Sequence, residues 1–330
     1  MLRPIGKVPV QLRGAYWFLW FFIGLFVISV VYFAVFAQAS GAPAIPSWAP
    51  LAFSSLVLPF IYWVLNNIVG DAARYLHVAA TNVQRRHEIR SAGVKVIKSL
   101  HEQGYDRILV VGHSLGTVIG YDILAHAWAG WNTENLKIPQ VHTERDAFDA
   151  MVAEATPPDP GAMRMAQGRC FKEAVANGST WRVTDFLTMG CPLAHAEILL
   201  AKDRDELKTK FNEREFPRCP PQQETRQVAG ATVKSFTYTT KAGSFLHQAA
   251  PFALTRWTNL YFPAAATVFG DLIGGPIAPV FGAAVKDVRV KTGKWGGLFS
   301  HTFYWTPHGS DKHVDALREA VNLLDKEVAA

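Results

Sequence analysis

Between Arg107 and Leu124 the chain reads RILVVGHSLGTVIGYDIL, and its one serine, Ser114, stands between Gly112-His113 and Leu115-Gly116. A serine hydroxyl is a weak nucleophile at neutral pH. It attacks a carbonyl only when a histidine takes its proton and a carboxylate holds that histidine in the right tautomer. Of the 11 histidines, His195, His247, His301, His308 and His313 lie well beyond the serine. His301 sits in Ser300-His301-Thr302 after a glycine-rich loop, His308 follows Pro307, and His313 opens the last helical stretch. Three aspartates compete for the carboxylate. Asp271 lies in the turn-rich Gly270-Asp271-Leu272-Ile273-Gly274-Gly275-Pro276. Asp287 lies inside a strand pattern between cations, the setting of a surface ion pair. Asp185 begins a strand and belongs to the wrong loop.

The elements that must carry these groups follow from periodicity. Ile108 to Val111 is a short continuous apolar run, the mark of a parallel strand buried on both faces. Thr117 to Ala129 is helical, so Ser114 occupies a sharp strand-to-helix turn. Such a turn pushes the serine out at the C-terminal edge of a sheet, and glycines two residues either side relieve the crowding. The helix that follows aims its first N–H groups at the serine, where they can bind a developing oxyanion. Before this unit, Arg85 to Gln103 reads as an amphipathic helix ended by Gly104. After it, Asn132 to Thr180 is polar, with a turn at Pro157-Pro158-Asp159-Pro160 and a helix from Met163 to Ala176. We read it as a cap or lid. Thr184 to Met189, Val233 to Thr239, Trp257 to Phe262 and Val285 to Val290 are strand candidates. Ala194 to Ala201 is a short helix, and His313 to Val328 a closing one. Strands alternating with helices predict an α/β fold with a mostly parallel sheet.

The strand, Gly-His-Ser-Leu-Gly and helix together form a nucleophile elbow, and the chain here resembles the α/β-hydrolases, with the lipase-like serine hydrolases as the nearest group. The resemblance extends to Gly70-Asp71 and Tyr75 upstream, to Gly190-Cys191-Pro192-Leu193 after the next strand, and to the downstream acid and histidine. It covers roughly residues 70 to 330. The order Ser, then Asp or Glu, then His that the resemblance implies selects His301 as the base and Asp271 as the acid. Leu115 N–H is the implied oxyanion donor. The departure is at the front. Only about 40 residues separate the second apolar stretch described below from the elbow strand, they read as helical, and they hold no His-Gly motif for a second donor.

Composition bounds the rest. Apolar residues make up 49% of the 330 and charged residues 18%, and the excess is concentrated at the N-terminus. Ala15 to Ala37 carries no charge, long enough to cross a bilayer as a helix; Leu51 to Val69 is a second uncharged stretch, weakened by Pro59, Asn66 and Asn67. Arg3, Lys7 and Arg13 precede the first stretch, and Arg74, Arg85 and Arg86 follow the second. That pattern predicts a transmembrane hairpin with both ends, and the catalytic domain, on the cytoplasmic side. A signal peptide fits less well, because its apolar region would be too long and a second apolar stretch follows. The net charge of +6 has no nucleic-acid-binding motif with it, so attraction to anionic headgroups accounts for it more simply. Cys170, Cys191 and Cys219 show neither metal-ligand spacing nor a disulfide framework.

The expectation is thus a multi-pass integral membrane protein. Residues 1–70 form the anchor, with helices at 15–37 and 51–69. Residues 71–330 form an α/β-hydrolase-like domain with a cap at about 132–180. Its function is that of a serine esterase or lipase: Ser114, His301 and Asp271 cleave a lipid or other hydrophobic acyl ester through an acyl-enzyme. No metal or cofactor is required. The partners are the ester substrate and the membrane, with no nucleic acid, and the oligomeric state is open. A serine acyltransferase, or a catalytically weak or inactive scaffold of the same fold, are the alternatives.

Overall fold

The computed structural model describes residues 80–134, 142–154, 159–228, 230–241, 243–264, 270–290, 300–307 and 312–323, together with Trp17, Trp20, Phe21, residues 23–28, Ser55 and Tyr75. Four parallel strands form the main sheet: β1 (Ile108–His113), β2 (Val183–Met189), β7 (Arg256–Tyr261) and β8 (Lys286–Arg289), in the order β1-β2-β7-β8. The two central strands, β2 and β7, are buried almost throughout, as strands covered by helices on both faces must be. Helices α1 (Ala80–Glu102) and α2 (Leu115–Glu134) pack on each other, and α2 packs on β1. The connection from β1 to β2 contains α2, α3 (Thr143–Ala153) and α4 (Pro160–Ala176). The connection from β2 to β7 holds two short helices, α5 (Ala196–Leu199) and α6 (Arg204–Asn212). It also holds two hairpins, β3 (Glu224–Val228) with β4 (Ala231–Ser235) and β5 (Thr237–Thr240) with β6 (Gly243–Leu246). Among the described residues between β7 and β8 lies one helical turn, α7 (Ala278–Phe281), and α8 (Lys312–Val321) closes the described chain.

Alternation along the strands splits the interior into two cores. Phe186 of β2 and Trp257 of β7 face the larger one, with Trp128, Phe171, Phe252 and Phe281 around them. Leu187, Met189, Leu260 and Phe262 face the smaller one, packed against Leu317 and Val321 of α8 and against Tyr304. Each such fully buried side chain contributes about 1.5–3 kcal/mol of transfer free energy, so the sheet is held firmly on both faces at the strand ends that carry the candidate site.

Three expectations are corrected by this architecture. Of the first apolar stretch, 15–37, only Trp17, Trp20, Phe21 and residues 23–28 are described, all of them helical, and of the second, 51–69, only Ser55; the rest of both lies outside the described residues. Among the described residues no helix is long and apolar enough to cross a membrane, which does not fit a multi-pass integral membrane protein. The two longest helices show why. α1 carries Arg85, Arg86, Glu88, Arg90, Lys95, Lys98 and Glu102, and α2 carries Asp122, which takes hydrogen bonds from Arg86, Arg90 and Tyr75. The stretch read as a cap or lid is packed into the protein body: its Phe148, Met163 and Phe171 belong to the larger core. Asp159 makes α4 begin there by accepting from the N–H groups of Gly161 and Ala162 with Pro160 in the first turn. Finally, the single strand read over Val233 to Thr239 is two. Asp149 of α3 takes the N–H of Phe236 and the hydroxyl of Ser235, removing that N–H from any ladder and breaking the strand between β4 and β5.

Candidate active site

β1 runs straight into the turn. Gly112 approaches the start of α2 so closely that a Cβ there would sit 2.7 Å from the carbonyl oxygen of Gly116 and 2.8 Å from Thr117 Cα. Both are backbone atoms, so neither can yield. Gly116 differs from its expected role: a Cβ built on it meets nothing within 4 Å. The crowding is relieved on the strand side alone. Ser114 itself adopts φ +53°, a left-handed conformation that costs a non-glycine residue on the order of 1–3 kcal/mol. Its N–H is tied to the carbonyl of Met189 at the end of β2 (3.0 Å). α2 begins at the next residue, so Leu115 N–H is a first-turn amide with no intrahelical acceptor, directed along the helix axis toward the serine.

The three side chains expected to act together are brought together. His301 Nε2 lies 2.8 Å from Ser114 Oγ, and His301 Nδ1 lies 3.0 Å from each oxygen of Asp271. A carboxylate only accepts, so Nδ1 carries the proton and Nε2 is free to accept from the serine hydroxyl. Each group comes from the loop at the C-terminal end of a different parallel strand: Ser114 after β1, Asp271 after β7, His301 after β8. Asp271 is fully buried while the His301 side chain remains 16% exposed, which leaves the imidazole edge and the serine open to a reactant and seals the carboxylate behind them. Burial pushes the Asp271 carboxyl up. Hydrogen bonds from His301, the imidazole charge, Gly274 N–H and the Tyr304 hydroxyl outweigh it and hold it below the usual aspartate range.

The surroundings fix the imidazole further. His113 Nε2 donates to the carbonyl of His301 (2.7 Å), and the two rings lie 5.0 Å apart. Burial, ahead of all other causes, pushes His113 down. Gly190, at φ +56°, passes under the ring: a Cβ there would sit 2.9 Å from His301 Cε1 and Nδ1 and 3.0 Å from Asp271 Oδ2. The next residue, Cys191, is a buried free thiol pushed up to about 12 by burial.

The competing residues fall elsewhere. Asp185 is four residues back along β2, about 13 Å from the site end, held by Arg107 (2.8 Å) and Arg256 (2.9 Å). Asp287 is no surface ion pair. It accepts from Asn259 Nδ2 (2.7 Å) and from the N–H groups of Ile277 (3.1 Å) and Ala278 (2.9 Å), and burial raises its pKa. His195 is buried with Nε2 on the carbonyl of Leu272, and His247 joins Gln222 and Ala249, with burial pushing it down to about 4. His313 meets the carbonyl of Thr306, and His308 lies outside the described residues. A separate cavity of about 90 Å³, lined by Trp128, Trp131, Arg145, Cys170 and Leu246, sits toward the far end of α2. At 1.5 Å per residue Trp131 is roughly 24 Å along the helix from Leu115, so that cavity is not part of the Ser114 site. Among the described residues no group of three or more His, Cys, Asp or Glu could hold a metal ion.

No family model, curated protein or solved structure matches the chain. The sheet also departs from a longer one at its front: among the described residues β1 is an edge strand, and Val111 on it is 41% exposed.

Two contributors escaped the sequence reading. Tyr304 donates its hydroxyl to Asp271 Oδ2 (2.8 Å), and His113 grips the His301 backbone. Tyr304 follows His301 by three residues, and residues 300–305 form a 3₁₀ turn, in which positions three apart eclipse. The spacing is visible in the sequence, but it signifies nothing until that turn type is known.

Proposed function

We propose that this protein is a serine hydrolase of α/β-hydrolase-like architecture that cleaves a carboxylic ester through an acyl-enzyme. One observation carries the reading: the hydrogen-bonded series Ser114–His301–Asp271, at 2.8 and 3.0 Å, on the C-terminal loops of three parallel strands. Ser114 Oγ attacks the ester carbonyl while His301 Nε2 takes its proton. The imidazolium so formed is stabilised by the buried Asp271 carboxylate. His301 then returns the proton to the leaving alcohol, and water repeats the sequence to release the acid. The charge that develops on the carbonyl oxygen meets Leu115 N–H at the start of α2. One such preorganised donor is worth roughly 10²–10³ in rate. Support for a hydrophobic acyl group comes from Trp305, which is half exposed beside the His113 ring (6.3 Å) and offers an apolar surface at the site.

The test is covalent labelling by a fluorophosphonate, which reports an activated serine. The wild type should be labelled and Ser114→Ala should not. Equal labelling of both, or of neither in folded protein, removes the hydrolase reading.

A further inference from the structure

We propose that Tyr304 is a positioning residue for this chemistry: its phenol holds Asp271 in line with His301 and limits the negative charge the imidazole feels. The inference rests on the ester-hydrolase reading above. His301 and Tyr304 lie on the same 3₁₀ turn, Ser300–Trp305, three residues apart, and both reach the same carboxylate. The two oxygens of Asp271 are served differently. Oδ1 accepts from the N–H groups of Ile273 and Gly274, each at 2.9 Å. Oδ2 accepts from the Tyr304 hydroxyl at 2.8 Å, and both oxygens face His301 Nδ1. The direction of the phenol bond is unambiguous. Its oxygen accepts from Phe262 N–H (3.0 Å), at the end of the strand from which the acid loop departs, and the carboxylate has no proton to give. Tyr304 is 1% exposed, with its ring 4.6 Å from that of Phe262, so the hydroxyl has no water to exchange for. Burial, and then the charge of Asp271, keep the phenol protonated far above the ordinary tyrosine range, so it remains a donor wherever the site works.

The physical consequence has a sign. A neutral donor on Oδ2 draws off part of the carboxylate charge. Removing it strengthens the attraction between Asp271 and a protonated His301, so the site gains its inactivating proton at higher pH. It also frees one oxygen to turn away from the imidazole, which slows the chemical step without touching substrate contacts. The other titratable groups around the site are His113 on β1, Cys191 and His195 after β2, and His313 on α8. None of them bonds to the phenol hydroxyl in this arrangement, so all persist when it is removed.

The experiment uses the full chain as wild type, Tyr304→Phe, and a form with difluorotyrosine at 304, whose more acidic hydroxyl donates more strongly. The readouts are fluorophosphonate labelling of Ser114 and kcat and KM for p-nitrophenyl acetate across pH. For Tyr304→Phe, kcat should fall about tenfold with KM little changed, the scale of one charge-assisted hydrogen bond. The low-pH limb of kcat/KM should move to higher pH. Difluorotyrosine should move that limb the opposite way, and it keeps the packing should the Phe variant fold poorly. Limbs that stay in place for both variants overturn the proposal, even if kcat falls, because a purely structural phenol would do that. A wild type that is not labelled at all overturns the hydrolase reading and this inference with it. A labelled wild type with unmoved limbs overturns this inference alone.

Discussion

The two glycines that flank Ser114 look equivalent in the sequence and are opposite in the structure, which makes Gly112→Ala and Gly116→Ala a decisive pair. At Gly112 the new methyl meets Gly116 O at 2.7 Å and Gly116 C and Thr117 Cα at 2.8 Å, distances real Cβ atoms do not keep. The turn must open by several tenths of an ångström against the pairing of β1 with β2 and the Ser114 N–H bond to Met189. Overpacking of this kind costs about 1–3 kcal/mol. For a domain of 150–250 residues that is about 2–4 °C in Tm per kcal/mol. The displaced serine also loses its 2.8 Å contact with His301 Nε2, and a misplacement of about 1 Å can cost on the order of 10² in rate. At Gly116 the methyl meets nothing within 4 Å, and the residue lies in the first turn of α2. Alanine there removes backbone entropy from the unfolded chain and is worth about +0.4–1 kcal/mol. The measurements are thermal unfolding by circular dichroism and the rate of fluorophosphonate labelling. Gly112→Ala should melt several degrees lower and label slowly. Gly116→Ala should melt at the same temperature or higher and label at the wild-type rate. If Gly116→Ala is as damaging as Gly112→Ala, the turn is not crowded on the strand side alone and this account of the elbow fails.

Three further outcomes follow from the site and its supports. Asp271→Asn keeps the shape of the loop but presents His301 Nδ1 with an amide that favours the wrong tautomer, so ester turnover should drop by about 10⁴ in an assay on folded protein. Asp287→Asn faces one of the N–H groups of Ile277 and Ala278 with another donor; stability should fall by about 1–3 kcal/mol in urea unfolding, while labelling of Ser114 is retained at low temperature. Because burial raises the Asp287 carboxyl, the native state takes up its proton at a higher pH than the unfolded chain, so the wild type should gain stability relative to this non-titrating variant as pH falls through the raised value and the gap between them should widen. Cys170, Cys191 and Cys219 are buried, and burial holds the thiols of Cys191 and Cys219 up to about 12, so less than about one in 10³ is thiolate near pH 8. A thiol-reactive disulfide reagent should therefore find almost no reactive cysteine in native protein and three after denaturation.

Local patterns determined a good part of this protein. The branched run ILVV specifies β1, and Gly112-His113-Ser114-Leu115-Gly116 specifies the turn, because strand period and helix onset are properties of adjacent residues. Chain order after Ser114 pointed to Asp271 and His301, and the fold brings both to it. The helix at Met163 to Ala176 was legible in the otherwise polar stretch from Asn132 to Thr180, but the destination of its apolar side chains was not. Hydrophobicity says that Phe148, Met163 and Phe171 are buried without saying against what, and only the packing of α3 and α4 put them in the protein core. Likewise, Lys286-Asp287 reads as an ion pair by adjacency, whereas the register of β8 beside β7 delivers Asp287 to Asn259 and to two backbone amides. The difference between Gly112 and Gly116, the strand break at Phe236 and the donation from Tyr304 to Asp271 all depend on distances between segments remote in sequence. Those distances are decided by tertiary packing, because a one-dimensional pattern records which faces a residue shares with its neighbours and not which distant backbone or carboxylate it will meet.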